Sequence, residues 1–263
     1  MWHANALCAI NPPRNVVGRP RTTEPYKEDI MDTASASEIQ KFNGFARSYW
    51  DPEGPMRMLH LMNPVRIDFV EAFAPLQDAR VLDVGCGGGL AAEAMVRRGA
   101  QVTGLDASLQ MLQAARVHAE ESGLEITYTE GTAEDFAARH AGAFEIVTAF
   151  EMIEHVPDPE RTLAAMGALL SPGGILVLST LNRSPKAYLG AIVFAEYIAQ
   201  WVPKGTHEYQ KFRRPSELAG YARNAGLQPI GVEGLVWHPL YQQFQRHPSD
   251  LSINYLFAAR KPA

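Results

Sequence analysis

The sequence predicts an α/β fold, a doubly wound and mostly parallel sheet of seven strands with helices on both faces. Apolar runs of strand length recur along the chain, helix-like stretches separate them, and a glycine-rich turn follows the first run without a gap. Residues 36–49 and 63–74 read as helices, broken by Asp51-Pro52-Glu53-Gly54-Pro55. A strand at 80–84 enters the turn Gly85-Cys86-Gly87-Gly88-Gly89, and a helix over 90–98 is closed by Gly99. A strand at 101–105 ends beside Asp106. A helix over 108–121, a strand at 125–129 and the near-continuous apolar strand 144–150 follow. A helix at 159–170 meets Pro172-Gly173-Gly174, which turns into a strand at 175–179. A helix over 215–225 and strands at 228–234 and 253–260 complete the sheet.

At 263 residues and 46% hydrophobic content the chain can bury a substantial core, and its length suits one domain with insertions. Residues 32–263 are expected to form that domain, with a helical cap over about 36–75 and an insertion over about 182–213. Residues 1–31 hold Arg14, Arg19, Arg21 and several prolines without helical period or an apolar signal core, and read as a disordered extension. Met31 could equally be the start. A formal charge of -5 offers no basic footprint, so nucleic acid is not an expected partner. Two cysteines, Cys8 and Cys86, imply no disulfide framework and fit a reducing, cytoplasmic setting. No apolar run is long enough to span a bilayer.

The glycine turn and Asp106 together predict a bound nucleoside. Glycines let backbone approach a ligand closely, and an acid closing the second strand places two acceptor oxygens where ribose hydroxyls would lie. A dinucleotide fingerprint starting at Gly85 needs glycine at position 90, which is Leu90. The pattern G-x-G-x-G is instead met by Gly85, Gly87 and Gly89, with Asp83 just before the turn, and this favours S-adenosylmethionine over NAD. After the third strand, the backbone of Thr132 and Ala133 and the side chain of Glu134 lie where an adenine edge would reach. A plain helix cap by Thr132 is the alternative.

Beyond the fourth strand stand Glu151, Glu154 and His155. If a helical turn begins there, the three share one face toward the crevice and form a partial shell for a divalent cation such as Mg²⁺. Methyl transfer requires the acceptor to be aligned and made nucleophilic. His155, an imidazole with an ordinary pKa near 6.5, is the candidate general base, with Glu154 beside it. The competing reading is a polar pair at a helix end. Residues 187–202 carry one charge, Glu196, and Lys204, Lys211, Arg213 and Arg214 follow nearby. Such a segment suits a helix resting on a membrane surface through 187–214 or roofing an apolar pocket, or else an ordinary buried helix.

Taken together, these residues resemble the class I S-adenosylmethionine-dependent methyltransferases and, more narrowly, the ubiquinone biosynthesis O-methyltransferase family. The narrow resemblance rests on Trp50-Asp-Pro-Glu-Gly54, Leu59-His-Leu-Met-Asn-Pro-Val-Arg66, Glu151-Met-Ile-Glu-His-Val-Pro-Asp158, Ser179-Thr-Leu-Asn-Arg183, Val202-Pro-Lys-Gly-Thr-His207 and Asn254-Tyr255. It implies methylation of phenolic hydroxyls on polyprenylated ubiquinone precursors, by an enzyme of the cytoplasm or the inner face of its membrane that joins a biosynthetic complex. It also implies cofactor contacts from Arg66 to the carboxylate, Gly85 to the methionine portion, Asp106 to the ribose and Phe150 to the adenosine surroundings. Methionine is common in related sequences where this chain has Phe150. The resemblance further implies Mg²⁺ at Glu151, Glu154 and His155, and a membrane-touching insertion at 182–213. Methylation of another small acceptor and a non-catalytic nucleoside-binding scaffold are the competing functions.

Overall fold

Period-two alternation builds the central sheet of the computed structural model, which describes residues 35–189 and 208–263. In β1 (Arg80–Val84), Val81 faces one helical layer while Leu82 and Val84 face the other, all three buried. Burying one such leucine contributes roughly 1.5–3 kcal/mol. Strands covered on both sides read as continuous apolar runs, which is why β4 (Phe144–Phe150) is conspicuous in the sequence. β1 pairs in parallel with both β2 (Gln101–Asp106) and β4; β3 (Thr127–Glu130) extends β2, and β5 (Leu170–Leu181) extends β4.

The sheet runs on with β6 (Gln228–His238), β7 (Gln243–His247) and β8 (Asn254–Arg260), all antiparallel to their neighbours, in the order β3-β2-β1-β4-β5-β8-β6-β7. Among the described residues that makes eight strands rather than seven. The additional strand β7 reads Gln-Phe-Gln-Arg-His, and only Phe244 in it is buried, so the sequence offers no apolar alternation to reveal it.

Helices α2 (Arg57–Glu71), α3 (Leu90–Val96) and α4 (Leu109–Glu121) pack on one face through residues such as Phe69, Met95 and Leu112. Helices α5 (Ala133–His140), α6 (Pro159–Leu169) and α7 (Pro215–Asn224) cover the other through Phe136, Leu163 and Leu218. The expected first helix ends early: α1 spans Ala36–Asn43, and a separate 3-10 turn, Ala46–Ser48, follows. The next helix begins six residues sooner than expected, with Pro64 inside it.

Strands are added to one side of β1 as far as β3 and to its other side from β4 onward, and this switch between the parallel neighbours β1 and β4 opens a crevice beyond their carboxyl ends. The glycine turn, Asp106 and the segment after Phe150 all meet there. That last segment departs from expectation. Glu151 adopts φ +50°, and helix α6 starts only at Pro159, capped by Asp158 accepting from the Arg161 amide at 3.0 Å. No helical turn therefore begins at Glu151 as expected; a single turn, closed by the His155 amide on the Met152 carbonyl at 2.9 Å, stands there instead. The expected extension at 1–31, and residues 190–207 of the expected insertion, lie outside the described residues.

Candidate functional site

The glycine turn is pinned from below. The amides of Gly85 and Cys86 both donate to the Leu105 carbonyl, at 2.7 and 3.1 Å. The Gly87 amide donates to one oxygen of Asp106 at 2.8 Å, and the Ser108 amide to the other at 2.8 Å. One lone pair on each oxygen stays available to a pair of vicinal hydroxyls. Burial raises the Asp106 carboxyl above its ordinary value, and those two amide bonds oppose the rise. Gly85 has φ +68°, and a Cβ there would come within 2.3 Å of Met152 Cγ. Only glycine fits so close an approach. Gly89 caps α3 from the far side of the turn.

Asp83 lies beneath this turn, buried, and accepts from the Thr148 hydroxyl at 2.7 Å. Burial lifts its carboxyl to about 7, with the Thr148 bond opposing and the nearby Asp106 reinforcing the rise.

The helical cap is fastened onto the turn. Trp50 Nε1 donates to the Gly88 carbonyl at 3.0 Å, Asn63 Nδ2 to the Leu90 carbonyl at 3.0 Å, and the Ser108 hydroxyl to Asn43 Oδ1 at 2.5 Å.

Across the crevice, Arg66 of α2 is 3% exposed and pairs with Glu151 at 3.0 Å, its guanidinium 5.5 Å from the Phe150 ring centre. Its Nε has no partner. The Ser179 hydroxyl donates to the same Glu151 oxygen that meets Arg66, at 2.7 Å. Glu154 is 2% exposed and accepts from the Thr180 hydroxyl at 2.8 Å. Burial raises its carboxyl, and the charge of Glu151 raises it further. His155 Nδ1 lies 3.0 Å from Oε2 of Glu38, and the Phe42 ring stands edge-on to the imidazole at 5.1 Å.

Glu151, Glu154 and His155 are thus neighbours, yet each is engaged by a different protein partner. Among the described residues no three acidic, histidine or cysteine side chains converge as a metal shell. The expected three-ligand Mg²⁺ site is not formed in this arrangement, because the assumed helical turn beginning at Glu151 that would have put them on one face is missing.

One cavity of about 480 Å³ joins these groups. It is bordered by Gly85, Gly87, Asp106, Ala133, Glu134, Phe150, Glu151, Glu154 and His155. Asp83, Gly89 and Arg66 support the wall from behind and do not border it. Thr132 caps α5, accepting from the Asp135 amide at 3.3 Å, and the Glu134 carboxylate accepts from the Thr162 hydroxyl at 2.7 Å. A cavity of this size and mixed lining suits a small-molecule ligand. The backbone cradle and the Asp106 oxygens fit a nucleoside.

Sequence reasoning missed Glu38. Ser35 and Glu38 stand at the spacing of a helix capping box, so a structural role is the natural reading. The side chain turns instead to His155 and to Lys211, whose Nζ meets its other oxygen at 3.1 Å. His155 holds Glu38 down at about 2, chiefly through that hydrogen bond.

A family model described as a methyltransferase domain matches residues 58–232. Proteins named ubiquinone biosynthesis O-methyltransferase are close in sequence. The one from Saccharophagus degradans is 47% identical over 86% of this chain and 96% of its own length. The one from Xanthomonas axonopodis pv. citri is 50% identical over 86% of this chain and 94% of its own length. A SAM-dependent methyltransferase from Thermotoga maritima shares the fold at TM-score 0.62 and 19% identity, covering 85% of this chain and 99% of that one. The [4+2]-cyclase SpnF also shares it, at TM-score 0.58 and 19% identity, covering 76% of this chain and 82% of that one, so the fold alone does not fix the chemistry.

Proposed function

This chain belongs to the ubiquinone biosynthesis O-methyltransferase family, an S-adenosylmethionine-dependent methyltransferase by its domain, and we propose that it methylates a phenolic hydroxyl of a polyprenylated ubiquinone precursor. The observation that carries the reading is that His155 borders the same cavity as the glycine turn and Asp106, with Nδ1 already engaged by a carboxylate.

Asp106 would hold the ribose, the backbone at Gly85 and Gly87 the methionine portion, and Ala133, Glu134 and Phe150 the adenine end. Arg66, with its orphaned Nε, would meet the carboxylate. S-Adenosylmethionine, when bound, supplies a methyl carbon activated by its sulfonium. The protein's task is alignment and removal of one proton. Glu38 is ionised and can only accept, so Nδ1 of His155 donates to it and Nε2 is left to take the phenolic proton. Glu154, buried beside His155, would steady the imidazolium that results. A nucleoside-binding scaffold would have no use for that pairing, and a different small acceptor would use the same groups.

A Mg²⁺ shell built on Glu151, Glu154 and His155 would require Glu151 to leave Arg66 and His155 to leave Glu38. Calorimetric titration of Mg²⁺ into the wild-type protein and Glu154→Gln tests that rearrangement. Among the described residues no helix is long and apolar enough to cross a membrane. We place substrate delivery at the inner face of the cytoplasmic membrane through 187–214, where exposed Tyr188 and Leu189 lead into the segment. Membership of a biosynthetic complex belongs to the same reading. Purified protein incubated with methyl-labelled S-adenosylmethionine and a panel of prenylated phenols and catechols tests the activity. Label transferred to none of them would refute it.

A further inference from the structure

The unexpected strand β7 gives the cavity a second end. β6 pairs with β8 only as far as Leu235 opposite Asn254, while Val236, Trp237 and His238 go on to pair with β7 alone. The β6–β7 hairpin therefore stands beyond the edge of the sheet at which the glycine turn and Asp106 lie. There it leans against α2. Leu235 and Phe244 are buried, Trp237 is partly so, and the Trp237 and Phe244 rings are 5.2 Å apart. Facing them are Met58, Leu59 and Met62 of α2, in the same apolar cluster. All six border the cavity that holds Asp106 and His155.

We propose that this apolar arm, walled by Leu235, Trp237 and Phe244 on one side and Met58, Leu59 and Met62 on the other, receives the first part of the substrate's isoprenoid chain. The inference rests on the methyltransferase reading above and adds where the chain lies. Three features select a branched hydrocarbon tail. The arm is built of aromatic, leucine and methionine side chains, and methionine conforms to irregular apolar shapes. It is continuous with the polar centre where Asn254 Nδ2 lies 3.4 Å from Glu151, so one molecule can place a hydroxylated ring at the centre and its tail in the arm. Finally, the cavity of about 480 Å³ is shared with the nucleoside and the ring, so a long chain can place no more than its near end inside. The arm thus reads the presence of a tail more than its full length.

The test compares kcat/KM for a prenylated phenol and for the same ring without the chain, in wild type, Trp237→Ala and Met58→Ala. Burial of a few methylene groups corresponds to about tenfold in selectivity, so each variant should lower the prenylated-to-bare ratio by about that factor. Calorimetry with S-adenosylmethionine checks that the nucleoside end is intact. Should Trp237→Ala not fold, Trp237→Phe and Met58→Ala carry the same comparison. An unchanged ratio, or equal loss on both substrates, overturns the arm while leaving the activity standing. Wild-type protein that methylates neither substrate overturns the activity, and the arm with it.

Discussion

Nδ1 of His155 lies 3.0 Å from Oε2 of Glu38, joining the loop after β4 to helix α1 across 117 positions of chain. The contact fixes the imidazole tautomer and orientation, and Lys211 steadies the far oxygen of the same carboxylate at 3.1 Å. A base that must be aimed loses rate when its support is removed. General-base catalysis is worth about 10²–10⁴-fold, of which orientation is a part. Glu38→Ala should lower kcat roughly 10- to 100-fold with little change in KM for S-adenosylmethionine. Glu38→Gln, which still accepts from Nδ1, should lose less. Initial rates at saturating cofactor decide this, and a wild-type rate in Glu38→Ala would remove Glu38 from the mechanism.

The same carboxylate predicts how stability responds to acid. Glu38 is held from 4.5 down to about 2 by the His155 hydrogen bond, then by the His155 charge and Lys211, against the cost of burial. A depressed acid contributes its stability in full above the unfolded value and loses it as pH falls through the folded one. The loss runs from about pH 4.5 to about pH 2 and amounts to at most about 3 kcal/mol. Urea midpoints of wild type and Glu38→Gln should therefore converge across that window. A constant gap between them would show that Glu38 contributes no charge-dependent stability.

The cradle is sensitive to one methyl group. Gly85 combines φ +68° with a Cβ position 2.3 Å from Met152 Cγ, so Gly85→Ala adds left-handed strain of about 1–2 kcal/mol and pushes Met152 aside. Cofactor affinity should fall at least tenfold by calorimetry. Adding Met152→Ala should recover part of the loss, because it removes the Cγ contact, while the backbone strain and the Met152 Cβ, 2.9 Å from the same position, stay. No recovery in the double variant would place the whole defect in the backbone strain and that remaining Cβ contact.

What the sequence reveals of this fold follows from local signals. β4 announces itself because both faces are covered and five of its seven residues are apolar, β1 because Val81, Leu82 and Val84 run straight into the glycine turn, β2 because it ends on an acid, and Gly85 and Asp106 because a tight approach and a strand-end acid are tied to neighbouring elements. β7 is invisible because four of its own five residues are polar and Phe244 alone among them is packed inward. Glu38 is invisible because its partner is distant in the chain and its spacing from Ser35 mimics a cap. The Arg66–Glu151 pair depends on a positive φ at a glutamate, which no propensity anticipates.

Asp83 should make stability fall with rising pH. Burial is the main cause lifting its carboxyl from 3.8 to about 7, so the folded protein keeps it neutral where the unfolded chain would ionise it. A raised acid favours the folded state below the unfolded value, and that advantage is lost as pH climbs from about 3.8 through about 7, by at most about 4 kcal/mol. In Asp83→Asn the Thr148 hydroxyl can still donate to the amide oxygen, so this slope should flatten and the variant should exceed wild type at pH 8. Thermal midpoints across pH 4–8 measure it. Parallel curves for the two proteins would mean Asp83 ionises as readily folded as unfolded.

Arg66 tests whether the wall behind the cavity also binds. Its guanidinium is almost wholly buried, satisfied on one side by Glu151 and unpartnered at Nε. Breaking a buried ion pair from one side leaves a charge without compensation, a cost of about 3–5 kcal/mol. Glu151→Ala should therefore destabilise the protein strongly. If the cofactor's carboxylate is a second anion for Arg66, saturating S-adenosylmethionine should raise the thermal midpoint of Glu151→Ala by more than it raises wild type. Arg66→Met tests the converse, because it removes the cation while keeping bulk. It should raise KM for S-adenosylmethionine at least tenfold, by loss of one charge-assisted bond of about 1.5–3 kcal/mol. An unaltered KM, with equal cofactor-induced midpoint shifts in Glu151→Ala and wild type, would restrict Arg66 to holding the loop after β4 in place.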